Sequence, residues 1–150
     1  MTCLFINLPK KLIKKLRSVL NHGIRFILSI KDFKQDLIEY YKQAHILPIE
    51  QRIDYKVCLI CFKTIHNMVP VYFEGLLSLD VGDRPNTRLR PIDDDLLLKV
   101  KPLPPTLKGT RRFSFHAPNV WNKLPLSIRS IDNLETFKRT LKTHMFASLG

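Results

Sequence analysis

Two cysteines, Cys58 and Cys61, have the C-x-x-C spacing that can supply half of a zinc site. Such a site needs about four ligands, and only Cys3 and scattered histidines remain to complete it. The two cysteines also lie three residues apart on one face of a strongly periodic apolar segment. We therefore expect two buried thiols that pack as small hydrophobic side chains.

Three consecutive carboxylates, Asp93–Asp95, are the residue type that holds paired catalytic metal ions. They follow Pro91, and no helix or strand pattern holds them in place, so a solvated loop that offsets nearby positive charge is expected. None of the five histidines forms a nucleophile motif with a serine or cysteine, and no phosphate-binding or dinucleotide fingerprint is present. The sequence predicts no catalytic residue, no metal site and no cofactor.

Basic residues are the strongest chemical signal. The chain has 150 residues with 25 Lys and Arg against 13 Asp and Glu, a formal charge of +12, which favours polyanionic partners. Residues 1–36 carry 8 basic and 2 acidic side chains, and residues 84–112 carry 8 and 3. The candidate nucleic-acid-binding residues are Lys10, Lys11, Lys14, Lys15, Arg17, Arg25, Arg111 and Arg112. An ordinary solvated helix face is an equally weighted interpretation of the N-terminal set.

Hydrophobic spacing predicts a mainly α protein. The predicted helices are Lys10–Ile30, Lys34–Ala44, Ile49–Met68, Val71–Leu77 and Asn133–Ser148, with a helical turn over 117–122. Ile49–Met68 is apolar on most of its circumference and should be the central core element. Trp121 is predicted to anchor the core, with its indole N–H needing an acceptor, and Asp132 or Asn133 should cap the last helix.

Alternating side chains predict a small β-hairpin beside these helices. Leu96, Leu98 and Val100 alternate with other residues, as do Phe113 and Phe115, so strands are expected at about 95–101 and 110–116. No apolar run approaches the ~20 residues of a membrane span, and three cysteines are too few for a disulfide framework. An intracellular protein, in the nucleus or cytoplasm, is therefore expected.

Four segments of the chain form a recognisable series: VLNHGIRFI (19–27), LPIEQRIDYK (47–56), RRFSFHAPNVWNKLP (111–125) and SIRSIDNLETFKRTLKTHMF (127–146). Together they resemble the reverse transcriptases of LINE-type (non-LTR) retrotransposons, jockey-like groups included, in the region that follows the polymerase. The resemblance divides the chain into 1–30, similar to the end of the thumb, and 31–150, similar to the C-terminal module. Ile46 departs from the pattern, since many relatives have Trp there.

The resemblance implies nucleic-acid handling without catalysis. The Asp-Asp box of the polymerase and the separate endonuclease have no counterpart, and Asp93–Asp95 does not match the box. The partner would be element RNA, a template–primer duplex or target DNA. The polymerase core would be a further partner, and no small-molecule substrate is implied. Two other hypotheses remain: a structural or protein-interaction module, and a basic amphipathic helix over Leu4–Ile30 that lies on an acidic membrane.

Overall fold

Six helices make up most of the described part of the chain. The structure, a computed structural model, describes residues 8–31, 36–70, 75–79, 96–102 and 112–149. The helices are α1 (Lys10–Ile27), α2 (Ile38–Gln43), α3 (Ile49–Ile65), α4 (Phe113–Trp121), α5 (Leu126–Arg129) and α6 (Leu134–Ala147). The predicted mainly α fold is confirmed. The segment Asp93–Asp95 and most of the predicted helix Val71–Leu77 lie outside the described residues.

Helix α3 is the centre of the fold, as its apolar circumference predicts. Helices α1, α4 and α6 all pack against it. It buries Ile53, Val57, Cys58, Cys61 and Phe62. The buried side chains of α3 belong to the main core cluster, so most of the core is built around this helix.

An aromatic group joins α3 to the C-terminal helices. The ring of Phe62 stacks on the ring of Phe137 in α6, with centroids 4.4 Å apart and an interplanar angle of 25°. Trp121 at the end of α4 lies 5.8 Å from Phe137. All three rings are almost fully buried. Large aromatic side chains contribute most to core energetics, so this group fixes how the three helices meet.

The C-terminal ends of α1, α2 and α3 share one backbone geometry, which ends each helix. Helices α1, α2 and α3 are followed by non-glycine residues in the left-handed region, with φ of 54° at Ser29, 52° at His45 and 55° at Asn67. At each end the two N–H groups past the C-cap bond back to the last turn; for example, Ile46 N–H donates to the Tyr41 carbonyl. At the start of α6 the predicted cap is resolved: Asn133 Oδ1 accepts from the N–H groups of Glu135 and Thr136 at 2.9 and 3.1 Å.

The predicted β-hairpin is wrong. Residues 113–116 begin α4, and Leu98 instead forms an isolated antiparallel bridge with Leu79. Phe113 and Phe115 alternate as strand residues would, but Phe113, Ala117 and Trp121 also recur every four residues, as on one face of a helix. Ala117 and Trp121 are buried in the main core together with α3, and this burial favours the helix. Pro118 lies inside this short helix and is buried with them.

Side chains of α4 hold segment 96–98 against the core. The Trp121 indole N–H donates to the Leu96 carbonyl at 2.7 Å, which supplies the acceptor that the sequence requires. The Asn122 side chain accepts from the N–H of Leu98 and donates to its carbonyl, both at 2.9 Å. The side-chain amide therefore pairs with the backbone of Leu98 as a neighbouring strand would.

We expect Asn122→Ala to destabilise the protein by about 1–3 kcal/mol, because both backbone groups of the buried Leu98 lose their partner. Urea unfolding measures the change, and amide exchange at Leu98 should become faster. Asn119→Ala, which removes a single bond to the Phe115 carbonyl within α4, is the matched control and should cost less. Equal losses for the two variants would contradict this role of Asn122.

Candidate nucleic-acid interface

Four of the predicted basic residues lie together on α1. Lys10, Lys11, Lys14 and Lys15 fall within the first six residues of the helix, and all four side chains are exposed. Two pairs are separated by four residues, which is about 6 Å along the helix axis. The four ammonium groups therefore form one compact cationic surface, which we call the α1 lysine cluster.

The α1 lysine cluster is electrostatically unfavourable for the helix that carries it. Like charges four residues apart repel each other. The start of a helix is also the positive end of its dipole, where cations are disfavoured. The first turn of α1 has no acidic residue, and Pro9 at its N-cap provides no side-chain hydrogen bond. An anion bound at this surface would relieve both effects.

Arg17 and Arg25 are placed differently from the lysines. Arg17 forms an ion pair with Glu50 of α3, and so its charge is largely compensated within the protein. Arg25 is half-buried and lines, with Arg17, a pocket between α1 and α2 that also contains Asp36 and Tyr41. Burial raises the pKa of the Tyr41 hydroxyl, an effect that the charge of Arg17 opposes. The structure therefore separates the two arginines from the cluster.

The second predicted basic group is described only in part. Arg112 is exposed and immediately precedes α4, a helix that packs on α3. Arg111 lies outside the described residues. Phe113, the first residue of α4, is half-buried and packs against the main core.

The apolar side of α1 is only partly covered. Ile24 is fully buried with Leu37 and Tyr41, and Ile13 packs against the main core. Other apolar residues face outward, with Val19 73% exposed and Phe26 86% exposed. We call the set of Leu12, Val19, Phe26 and Ile27 the α1 apolar stripe. Because Ile13 and Ile24 are held by the protein, α1 cannot place its whole apolar side in a lipid surface.

Sequence reasoning missed a cationic cleft between α3 and α6. It has a volume of about 260 Å³ and is lined by His45, Ile46, Leu47, Arg52, Tyr55, Lys56 and Lys142. Arg52 and Lys56 are one turn apart on the outward side of α3, and Lys142 comes from α6. The four-residue spacing of Arg52 and Lys56 is the only part of this cleft that the sequence indicates. Lys142 and His45 reach the same cleft only through the tertiary structure.

Cys58 and Cys61 are buried free thiols, as expected. The Cys61 thiol donates to the Ala117 carbonyl at 3.9 Å, a sulfur contact between α3 and α4. Burial, and secondarily the charge of Asp54, raises the pKa of the Cys58 thiol far above its usual range. Over the part of the chain that the structure describes, no group of three or more His, Cys, Asp or Glu residues is arranged to hold a metal ion.

Among the described residues, no helix combines the length and apolar character needed to cross a membrane. Comparisons of the chain with protein-family models, with curated proteins and with solved structures find no match. The geometry of the basic surfaces is therefore the basis of any functional conclusion.

The buried Cys58 thiol should make the protein less stable at alkaline pH. The unfolded thiol ionises near pH ~8.5, whereas the folded thiol keeps its proton, so the free energy of unfolding should fall as pH rises above that value. The slope for this one group should approach about 1.4 kcal/mol per pH unit. Urea unfolding between pH 7 and 10 measures it, and Cys58→Ala should show a shallower decline. Identical slopes for the two proteins would contradict burial of a protonated thiol.

Proposed function

We propose that this chain is a noncatalytic nucleic-acid-binding module, similar in role to the region that follows the polymerase in LINE-type (non-LTR) retrotransposon reverse transcriptases. It binds the phosphates of RNA or DNA through the α1 lysine cluster, with Arg112 as a further contact. It does not extend a primer. The resemblance of four segments to that region supports the assignment, as does the formal charge of +12.

The observation that carries the proposal is the unfavourable position of the α1 lysine cluster. Four exposed ammonium groups lie in the first two turns of a helix that has no acidic residue in its first turn, and two of them, Lys10 and Lys11, lie in that first turn. A solvated helix face needs no such arrangement, since mixed charges would serve solubility without repulsion. Phosphate groups would neutralise the lysines and release condensed counterions, which is the main source of sequence-independent affinity.

The charge-reversed variant Lys11→Glu/Lys14→Glu/Lys15→Glu should bind nucleic acid more weakly and fold more stably. Loss of three phosphate contacts should flatten the log–log salt dependence by about two to three. The acidic residue at position 11, which lies in the first turn, should stabilise α1 by about 0.3–1 kcal/mol, whereas positions 14 and 15 lie beyond the turn in which the dipole acts. Fluorescence anisotropy with RNA and DNA oligonucleotides over a salt series gives the slope, and thermal unfolding gives the stability.

The matched control is Lys99→Glu/Lys101→Glu/Lys123→Glu, which makes the same change in charge at three exposed lysines outside α1. It should leave the salt slope closer to that of the wild type. Equal effects of the two triple variants would show that binding depends only on the net charge of the protein and not on the α1 lysine cluster. Binding that ignores salt, or nucleotide incorporation by the chain on its own, would contradict the proposed function.

A structural or protein-interaction role is the second candidate, and the α1 apolar stripe favours it. Monomeric proteins rarely leave large contiguous apolar patches open to water. In this alternative the stripe is the contact surface, and the lysines beside it serve only solubility.

Val19→Ser/Phe26→Ser separates the two candidates. Both side chains are mostly exposed, so the free energy of unfolding should stay within about 0.5 kcal/mol of the wild-type value. Under the proposed function, affinity for oligonucleotides should be retained. Light scattering measures association in parallel: a wild-type chain that self-associates and a variant that is monomeric would indicate that the stripe is an interface. Loss of nucleic-acid affinity in this variant would argue against binding through the lysines alone.

A further inference from the structure

The cleft between α3 and α6 is cationic on several sides. Arg52 and Lys56 approach from α3 and Lys142 from α6, while His45 follows α2. None of the seven described residues that line it is acidic. A cleft lined by charges of one sign raises the local concentration of counter-ions, so these three permanent positive charges attract an anion.

Two of the side chains that line the cleft, Lys142 and His45, contact the same aromatic ring. The Lys142 ammonium lies 5.8 Å from the centroid of the Phe146 ring. The His45 imidazole meets the same ring edge-on, with centroids 6.5 Å apart and planes at 88°. The backbone of His45 is fixed in the left-handed region by the end of α2, where its N–H donates to the Lys42 carbonyl. Phe146 thus contacts two of the groups that line the cleft.

One wall of the cleft is not charged. Ile46 and Leu47 provide an apolar surface, and Tyr55 provides an aromatic ring with a hydroxyl. Burial raises the pKa of this hydroxyl; Lys138 lowers it and Glu135 raises it to a smaller extent. The hydroxyl therefore stays protonated at neutral pH and can donate to an anion.

We propose that this cleft binds a phosphoryl group of a nucleotide chain, with Arg52, Lys56 and Lys142 on its oxygens and the attached nucleoside against Tyr55, Ile46 and Leu47. This inference rests on the proposed function, because it names a second contact for the same partner. The planar guanidinium of Arg52 suits two phosphate oxygens at once. At about 260 Å³, the cleft is slightly smaller than the ~300–1,000 Å³ of drug-sized ligand sites, which suits a single nucleotide unit.

The combination of apolar and cationic walls favours a nucleotide over a free inorganic anion or a lipid headgroup. A free anion uses only the cations, whereas a nucleoside adds contact with an aromatic ring and aliphatic side chains. The α1 apolar stripe, which a membrane would also need, belongs to another helix. A terminal phosphomonoester and an internal phosphodiester share the chemistry of the site.

Arg52→Gln and Lys142→Gln, made separately in the full chain, test the cleft. In ¹⁵N NMR titrations, inorganic phosphate and short single-stranded oligonucleotides should shift signals of residues 45–56 and 142–146 saturably in the wild-type protein. Each variant should weaken oligonucleotide binding about tenfold. The matched control is Lys63→Gln, further along α3, which should stay within about twofold of wild type.

Oligonucleotides with a 5′-phosphate and a 5′-hydroxyl distinguish the two sources of the phosphoryl group. Tighter binding of the phosphorylated form identifies a terminal monoester, and equal binding identifies an internal diester. The cleft proposal is overturned if neither oligonucleotide shifts the cleft signals, if the Gln variants bind as the wild type does, or if only anionic vesicles bind there. The lysine variant of α1 separates the two proposals, since it should lose salt-dependent affinity but keep the cleft titration with phosphate.

Discussion

The burial of one face of α3 under α1, α4 and α6 is the constraint on which the rest of the structure depends. The contact of Phe62 with Phe137, and of Phe137 with Trp121, fixes α6 and α4 against that face. Trp121 in turn binds the Leu96 carbonyl and so brings the neighbouring backbone segment to the core. Because the apolar face of α3 is committed inward, its outward side is free to carry Arg52 and Lys56. The core therefore decides which basic residues can reach a ligand.

Helix α1 is attached to both α2 and α3. Its connections include the burial of Ile24 with α2, the hydrogen bond from the Tyr41 hydroxyl to Asn21, the packing of Ile13 and the ion pair of Arg17 with Glu50. The remaining circumference faces outward, with ammonium groups on one part and apolar side chains on another. An exposed ion pair contributes little to stability, about 0–1 kcal/mol, so α1 is held mainly by its few buried side chains. Repulsion among its lysines further weakens a helix that has little packing to compensate.

Periodicity predicted α1, α2, α3 and α6, and α1, α3 and α6 each bury a stripe that repeats every three or four residues. It predicted only a helical turn over 117–122 within α4, and it did not predict the short α5. It also predicted Trp121 as a core anchor and Asn133 as a possible cap. It failed at Phe113 and Phe115, where period-two and helical spacings coincide over a few residues and burial of Ala117 and Trp121 against α3 decides. The α1 lysines were recognisable from their density, but the ion pair of Arg17 with Glu50 was not, since it joins residues 33 positions apart. Whether the lysines bind nucleic acid stays a prediction.

The α1 lysine cluster and the cleft between α3 and α6 differ in how their side chains are held, and this determines what each can contribute to binding. The α1 lysine cluster consists of flexible side chains in water, so its interaction with phosphates is long-range, sequence-independent and weakened by salt. In the cleft, Phe146 contacts both Lys142 and His45, and Arg52 and Tyr55 line the same cleft. Groups oriented before binding lose less conformational entropy when they bind. The lysines therefore supply attraction to any polyanion, whereas the cleft can select one phosphoryl group and set the register of the chain that carries it.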